Sequence, residues 1–227
     1  MEANAASKCS CRIFEFLESS IGKKIMVAAA GILLCGFLVA HLLGNLLLFV
    51  GADAFNHYAE TLEHNILLPV AEIGLVLLFV VHILLSYRAT YLNKKARPVG
   101  YEVYKSKGAR TWGSRSMALT GTLILAFVII HVATFKFDVG GEKGPDLYTH
   151  VLTWFSNPFY AAFYVLAVGG VALHLSHGVQ SAFQTFGLNH PRYTPLIRKA
   201  GLMFAGFIFL GFASMPLYFG FFVGGSK

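Results

Sequence analysis

Charge is scarce in this chain, cysteine scarcer, and helix-breaking proline is kept to the edges. Only 13% of the residues are charged, against 56% hydrophobic, and the mean hydropathy is +0.63. That balance excludes a soluble globular domain and fits a polytopic membrane protein. The 3 cysteines, Cys9, Cys11 and Cys35, are scattered. They give no disulfide framework, no zinc spacing and no C-x-x-C-H motif, so any haem would be held without thioether links. Pro69, Pro158 and Pro216 fall near the ends of apolar runs, which leaves helix interiors largely unbroken. Strict in–out alternation is missing as well, which argues against a membrane β-barrel. Low-complexity tracts and strong internal repeats are absent.

What remains is a set of five apolar runs, at about 25–50, 66–87, 117–135, 158–186 and 200–223. Each has room for the ~20 residues a helix needs to cross ~30 Å of hydrocarbon. The expected fold is an all-α membrane domain of five transmembrane helices over 25–224, preceded by an N-terminal segment, 1–24. Within that segment Arg12–Lys24 mixes charges with Ile13, Phe14, Phe16 and Leu17, which suits a short helix on the membrane surface. No cleavable signal peptide is expected, because the first span is too long for a secretory h-region.

The net charge of +7 is not spread evenly. The N-terminal segment, the connection between spans two and three, and the connection between spans four and five carry 15 of the 18 Lys and Arg residues. Only Lys136, Lys143 and Lys227 lie on the other side. The asymmetry follows the positive-inside pattern and predicts a cytoplasmic N-terminus and an external C-terminus. A membrane topology determinant explains the basic loops, and nucleic-acid binding is not expected. An acidic partner docking on the basic face is compatible with them.

Four of the five runs hide a histidine: His41, His82, His131 and His174. An ionisable group inside a bilayer marks a functional site by default. Helical rise gives their depths. His41 lies 17 residues beyond Lys24 and His131 16 residues beyond Arg115, so both stand roughly 25 Å above the inner boundary. His82 is six residues before Arg88, about 9 Å from that boundary, and His174 is 16 residues after Pro158, about 24 Å down from the outer side. The four sort into an outer pair, His41 and His131, and an inner pair, His82 and His174, roughly 15 Å apart. In an ordinary four-helix arrangement each pair joins diagonal helices, with space between for a flat macrocycle. The expectation is a four-helix bundle holding two stacked haems b, plus a fifth helix. Two imidazoles on one haem iron leave no open position, which suits electron transfer.

His177 lies about 60° round the helix from His174, so geometry alone leaves either as the ligand, with depth favouring His174. His57, His64, His150 and His190 fall in connections or at span ends and read as solvent-facing or structural. Gly31 and Gly121 each stand ten residues before a histidine, His41 and His131, and could give a porphyrin or a helix close access.

The segments FLVAHLLGNLLLFVGADAFNHYAETLE, FVVHILLSYRATYL, FVIIHVATF and ALHLSHGVQSAFQTFGLNHPR carry a family resemblance. The chain resembles the cytochrome b membrane-anchor subunit of succinate:quinone oxidoreductases, the succinate dehydrogenases and fumarate reductases of respiratory complex II, in the single-chain, dihaem b558-like class. The similarity runs over nearly the whole chain. It implies that His174 rather than His177 is the ligand, that His82 and His174 hold a proximal haem, and that His41 and His131 hold a distal one. It further implies a flavoprotein (FAD) subunit and an iron–sulfur subunit docked on the cytoplasmic face of a bacterial inner membrane, with a higher oligomer of the complex compatible. Neither partner's chemistry is encoded here, since the chain has no dinucleotide fingerprint and no Cys-rich cluster motif. Its part would be the anchor, the haems and a pocket for quinone, often menaquinone in dihaem relatives.

In dihaem fumarate reductases a glutamate 22 residues after the first haem ligand lies at the quinol site. That offset lands on Glu63, with Glu60 as a substitute, in an acidic outer loop free of Lys and Arg. Glu72, a few residues into the second span, could assist proton access or snorkel outward. Arg88 is the expected partner of a haem propionate. Ala172 stands where some of these relatives carry an acid two residues before the fourth-span ligand, so the resemblance does not extend to a compensating proton path. Two other readings compete: the cytochrome b subunit of a membrane hydrogenase or formate dehydrogenase, which would place two ligands on one helix, and a haem-free histidine-relay transporter, which would show broken helices.

Overall fold

The computed structural model describes residues 15–96, 112–140 and 145–223. Cys9, Cys11, Lys8 and Arg12, and much of the basic connection (Arg97, Lys105, Lys107 and Arg110), lie outside the described residues, as do Lys143 and Lys227. Within the described residues every regular element is helical. In chain order they are α1 Ser20–Asn45, α2 Ala52–Glu63, α3 Leu68–Lys95, α4 Trp112–Phe135, α5 Leu147–Phe155, α6 Pro158–Thr185 and α7 Thr194–Leu217. A 3₁₀ turn, Leu46–Phe49, prolongs α1, and a π-helical turn, Tyr218–Val223, prolongs α7.

Among the described residues five segments are long and apolar enough to cross a membrane: Ser20–Phe49, Leu68–Lys95, Ser116–Phe135, Pro158–Thr185 and Thr194–Phe222. The chain is an all-α, multi-pass membrane protein. In lipid each backbone N–H and C=O must be satisfied within its own segment, which leaves helices as the available solution for these sequences. The helices outrun the apolar runs at several ends, because the backbone ladder continues into the interface. α3 continues through Arg88 to Lys95, with Lys94 and Lys95 in its last turn, where cations suit the negative end of the helix dipole. The stretch expected as one surface helix is divided. Residues 15–18 are helical, Ser19 interrupts them, and 20–24 already belong to α1. Ser19 caps α1 by accepting the Gly22 N–H at 3.0 Å.

α6 packs most extensively on α7, α1 lies between α3 and α6, and α4 packs on α6 but only thinly on α3. α1 and α4 therefore face each other across the helix group, as do α3 and α6. The buried core, including Leu42, Ile208, Tyr164 and Phe155, knits α1, α5, α6 and α7 together. α3 contributes no buried residue along its 28 residues. Beside it, Phe37 of α1 and Leu68, Ala71, Glu72, Gly74, Leu75 and Leu78 of α3 line a largely apolar hollow of about 580 Å³. The short helices α2 and α5 cover one end of the group and pack on each other, the Tyr148 N–H donating to Asn56 Oδ1 at 3.0 Å.

Candidate metal centres

The fold brings the four half-buried histidines of the spans together two by two. His41 on α1 and His131 on α4 have ring centroids 5.7 Å apart with planes at 88°. His82 on α3 and His174 on α6 lie 6.3 Å apart with planes at 69°. The first pair stands near the end covered by α2 and α5, four residues before the ends of both its helices. The second lies deeper, and glycine positions fix the offset. A Cβ on Gly31 would stand 3.3 Å from His82 Cε1, and one on Gly121 3.6 Å from His174 Cε1. Gly31 is ten residues before His41 and Gly121 ten before His131, so both helices give the same axial separation of about 15 Å. The two glycines thus make room at the histidines of the other pair, not at their own.

In each of the four imidazoles Nδ1 has a partner. His82 Nδ1 is 3.2 Å from the Val27 carbonyl, and His174 Nδ1 is 3.1 Å from Thr120 Oγ1. His131 Nδ1 is 3.1 Å from Tyr164 Oη, and His41 Nδ1 is 3.4 Å from the Asn45 side-chain amide. Nδ1 of His82, His174 and His131 thus faces an oxygen able to accept its hydrogen, which would leave Nε2 free to ligate a metal, whereas the partner of His41 Nδ1, the Asn45 amide nitrogen, is a donor.

Among the described residues no group of three or more His, Cys, Asp or Glu side chains converges to hold a metal ion. Each pair therefore offers only two protein ligands, too few for a zinc or calcium site. Two opposed imidazoles suit a metal whose other positions are filled by a macrocycle. Metal–imidazole bonds of about 2 Å on opposite sides of one ion put the ring centroids about 6 Å apart, close to both observed separations. The surroundings are apolar and aromatic. Phe37 stacks on His41 at 5.3 Å, Phe212 lies 5.7 Å from it, and Phe127 and Phe135 lie 5.7 and 5.5 Å from His131. These residues fit a flat, apolar, doubly ligated prosthetic group.

His177 differs from its neighbour: its Nδ1 is buried with no hydrogen-bond partner, and the ring that meets His82 is that of His174. Glu60 and Glu63 are both exposed on α2. Glu72, by contrast, lines the hollow beside Phe37 and pairs with Lys136 Nζ at 2.5 Å. Arg88 is exposed on α3, six residues beyond His82. His57, His64 and His190 are exposed, whereas His150 is 3% exposed and structural. Its Nε2 lies 3.2 Å from the Thr134 carbonyl and 3.5 Å from Asp138 Oδ1. The Nδ1 partners Asn45, Thr120 and Tyr164 escaped the sequence reading. One sign of Tyr164 was available: it precedes His174 by ten residues, the interval that separates Gly31 from His41.

The family model for the succinate dehydrogenase/fumarate reductase transmembrane subunit matches residues 93–214, more than half of the chain. The succinate dehydrogenase cytochrome b558 subunit of Bacillus subtilis (strain 168) is 28% identical over 182 residues, covering 75% of this chain and 85% of that protein. No solved structure matches the chain. A multi-pass helical chain whose span histidines meet in pairs, with this match across its second half, belongs to the family of succinate dehydrogenase/fumarate reductase transmembrane subunits.

Proposed function

We propose that this membrane anchor binds two haems b, one between His41 and His131 and one between His82 and His174, and passes electrons between an iron–sulfur subunit and membrane quinone. The observation that carries the reading is the meeting of two histidine pairs about 15 Å apart along the helices, with an oxygen at Nδ1 of His82, His131 and His174 that leaves Nε2 of those rings to ligate. Haem b held by these pairs would supply one-electron carriers. The protein's own contribution is orientation and exclusion. Nδ1 partners set each ring, Gly31 and Gly121 keep the space at the deeper pair open, and Phe37, Phe127, Phe135 and Phe212 keep water from the other. Arg88 is the proposed partner of a propionate at the His82–His174 haem.

The name of the Bacillus relative, a cytochrome b558 subunit of succinate dehydrogenase, supports haem b and the enzyme complex as the setting. A flavoprotein and an iron–sulfur subunit then dock at the basic end, near Lys94 and Lys95, with the N-terminus on that side in the cytoplasm. This chain would be the quinone-reactive subunit and carry none of the dicarboxylate chemistry. Quinone reduction takes two protons as well as two electrons, which calls for an acid near the ring and near water. Glu63 and Glu60 on α2 are the proposed acids, and Glu72 joins them because it borders the apolar hollow.

Purified complex should contain two haems b per copy of this chain, with a b-type α-band in its reduced-minus-oxidised spectrum. A haem content near zero would sink the reading. His131→Ala should leave one haem, and His177→Ala should leave both; a haem lost on changing His177 alone would reassign the ligand. Glu63→Gln should lower quinone-linked turnover while dye-linked succinate oxidation persists. Equal activity in the two assays would move the quinone site elsewhere.

A further inference from the structure

The four Nδ1 partners are not equivalent. Val27 offers a backbone carbonyl, and Thr120, at His174, also lies within hydrogen-bond reach of its own helix's carbonyls at Ser116 and Met117. Tyr164, at His131, opens a longer chain. Its Oη lies 3.3 Å from Tyr160 Oη, and Tyr160 Oη lies 3.1 Å from Thr134 Oγ1. Thr134 is 4% exposed and Tyr164 5% exposed, so water has little access to this chain. The backbone carbonyl of the same Thr134 lies 3.2 Å from buried His150 Nε2, which ties the chain to α5.

Hydrogen counting gives the chain a direction. With Nε2 on a metal, His131 Nδ1 carries the ring's hydrogen and must donate, so Tyr164 Oη accepts. The geometry places the Tyr160 O–H as donor to both Tyr164 Oη and Thr134 Oγ1. It has one hydrogen; given to Thr134, the nearer partner, it leaves Tyr160 Oη to accept the one hydrogen of Tyr164. Each donor therefore points away from His131, and successive bonds polarise one another in a dry site. Drawing the Nδ1 hydrogen outward makes the imidazole a more basic ligand, which favours the oxidised metal.

We propose that Tyr164, oriented by Tyr160 and Thr134, is the positioning residue of the His41–His131 centre: it fixes the His131 tautomer and lowers the midpoint potential of the haem held there. The proposal rests on His131 being a haem ligand. Packing alone makes a different prediction. The Tyr164 ring lies 5.0 Å from Phe127, 5.2 Å from Phe155 and 4.9 Å from Tyr160, contacts that phenylalanine would keep.

The test is a redox titration of the whole complex, with the ferric low-spin EPR signals recorded alongside. In Tyr164→Phe the potential of the His41–His131 haem should rise by about tenfold in the oxidised-to-reduced equilibrium, ~59 mV for one electron. Its EPR signal should move, and the His82–His174 haem should keep its potential. Tyr160→Phe, which leaves the Tyr164–His131 contact in place, should shift the same haem the same way by less. Thr120→Val should shift only the other haem. Both haems retained at unchanged potentials in Tyr164→Phe, or equal shifts in both, would overturn the proposal. Should Tyr164→Phe lose its haem, Tyr160→Phe decides: a selective upward shift supports the proposal and no shift overturns it. Failure of the ligand reading looks different, since His131→Ala would then retain two haems.

Discussion

Gly31 meets the edge of the His82 imidazole, and its hydrogen leaves about one methyl group's space there. A Cβ at 3.3 Å from His82 Cε1 is tight but tolerable, whereas a branched side chain would have to occupy the volume beside the ring. Gly31→Leu should therefore abolish haem at the His82–His174 pair while sparing the other, reducing the haem count from two to one per chain. Loss of both haems, or of neither, in the pyridine haemochrome assay would contradict this. The same position shows how little of a residue's role lies in its local neighbourhood. By interval Gly31 belongs with His41, yet it opens space for a histidine on another helix.

Among the elements, α5 is short, covers one end of the helices and depends on its first residue's neighbour. Asp146 caps it, accepting the Thr149 N–H at 2.8 Å and the Thr149 hydroxyl at 3.2 Å. The Thr149 N–H is the chief of several donors, Asn56 among them, that hold the Asp146 carboxyl below its usual range. A carboxyl with a lowered folded pKa contributes stability above the ordinary Asp pKa of ~3.9, and that contribution is lost as pH falls through the lowered value. Acidification should then loosen α5 only in that acid window. Trp154, whose ring lies 4.6 Å from Tyr160, should report the change by fluorescence in a Trp112→Phe background. Asp146→Asn keeps a capping side chain without the titration, so it should flatten the transition; an unchanged acid transition would assign it to another group.

For the whole molecule, the unequal packing of the helices matters most. α1, α6 and α7 share a core in which Leu42 and Ile208 are fully buried, whereas α3 buries no residue and meets α4 only thinly. Lipid offers helices no hydrophobic drive to associate, so a group bound between α3 and α6 would supply the missing contacts. Any ligand of the folded state stabilises it by mass action, about 2.7 kcal/mol at a hundredfold excess over its Kd. Complex isolated from haem-starved cells should melt at lower temperature. Its α3 should lose hydrogen-exchange protection before α6 and α7 do. Equal protection in both preparations would show that α3 is held without haem.

Much of the architecture was legible along the chain because the bilayer narrows the choices. Runs of about 20 apolar residues must be helices there, and a fixed rise per residue turns positions into depths. The five spans and the shared level of His41 with His131 follow from those two facts. The short helices α2 and α5 were not foreseen, since the connections they occupy were read for charge and for the spacing of acids rather than for periodicity. Sequence distance also hid the support around the histidines: Val27 is 55 residues from His82, Thr120 is 54 from His174, and Tyr164 is 33 from His131. Those contacts depend on how each helix is rotated about its axis, and rotation is set by packing against neighbours rather than by depth. The sequence by itself thus determined the spans, the four imidazoles within them, their levels and their pairing by level. Only the tertiary structure decided how each ring is turned, which glycine opens which space, and which hydroxyl lies against His131 Nδ1.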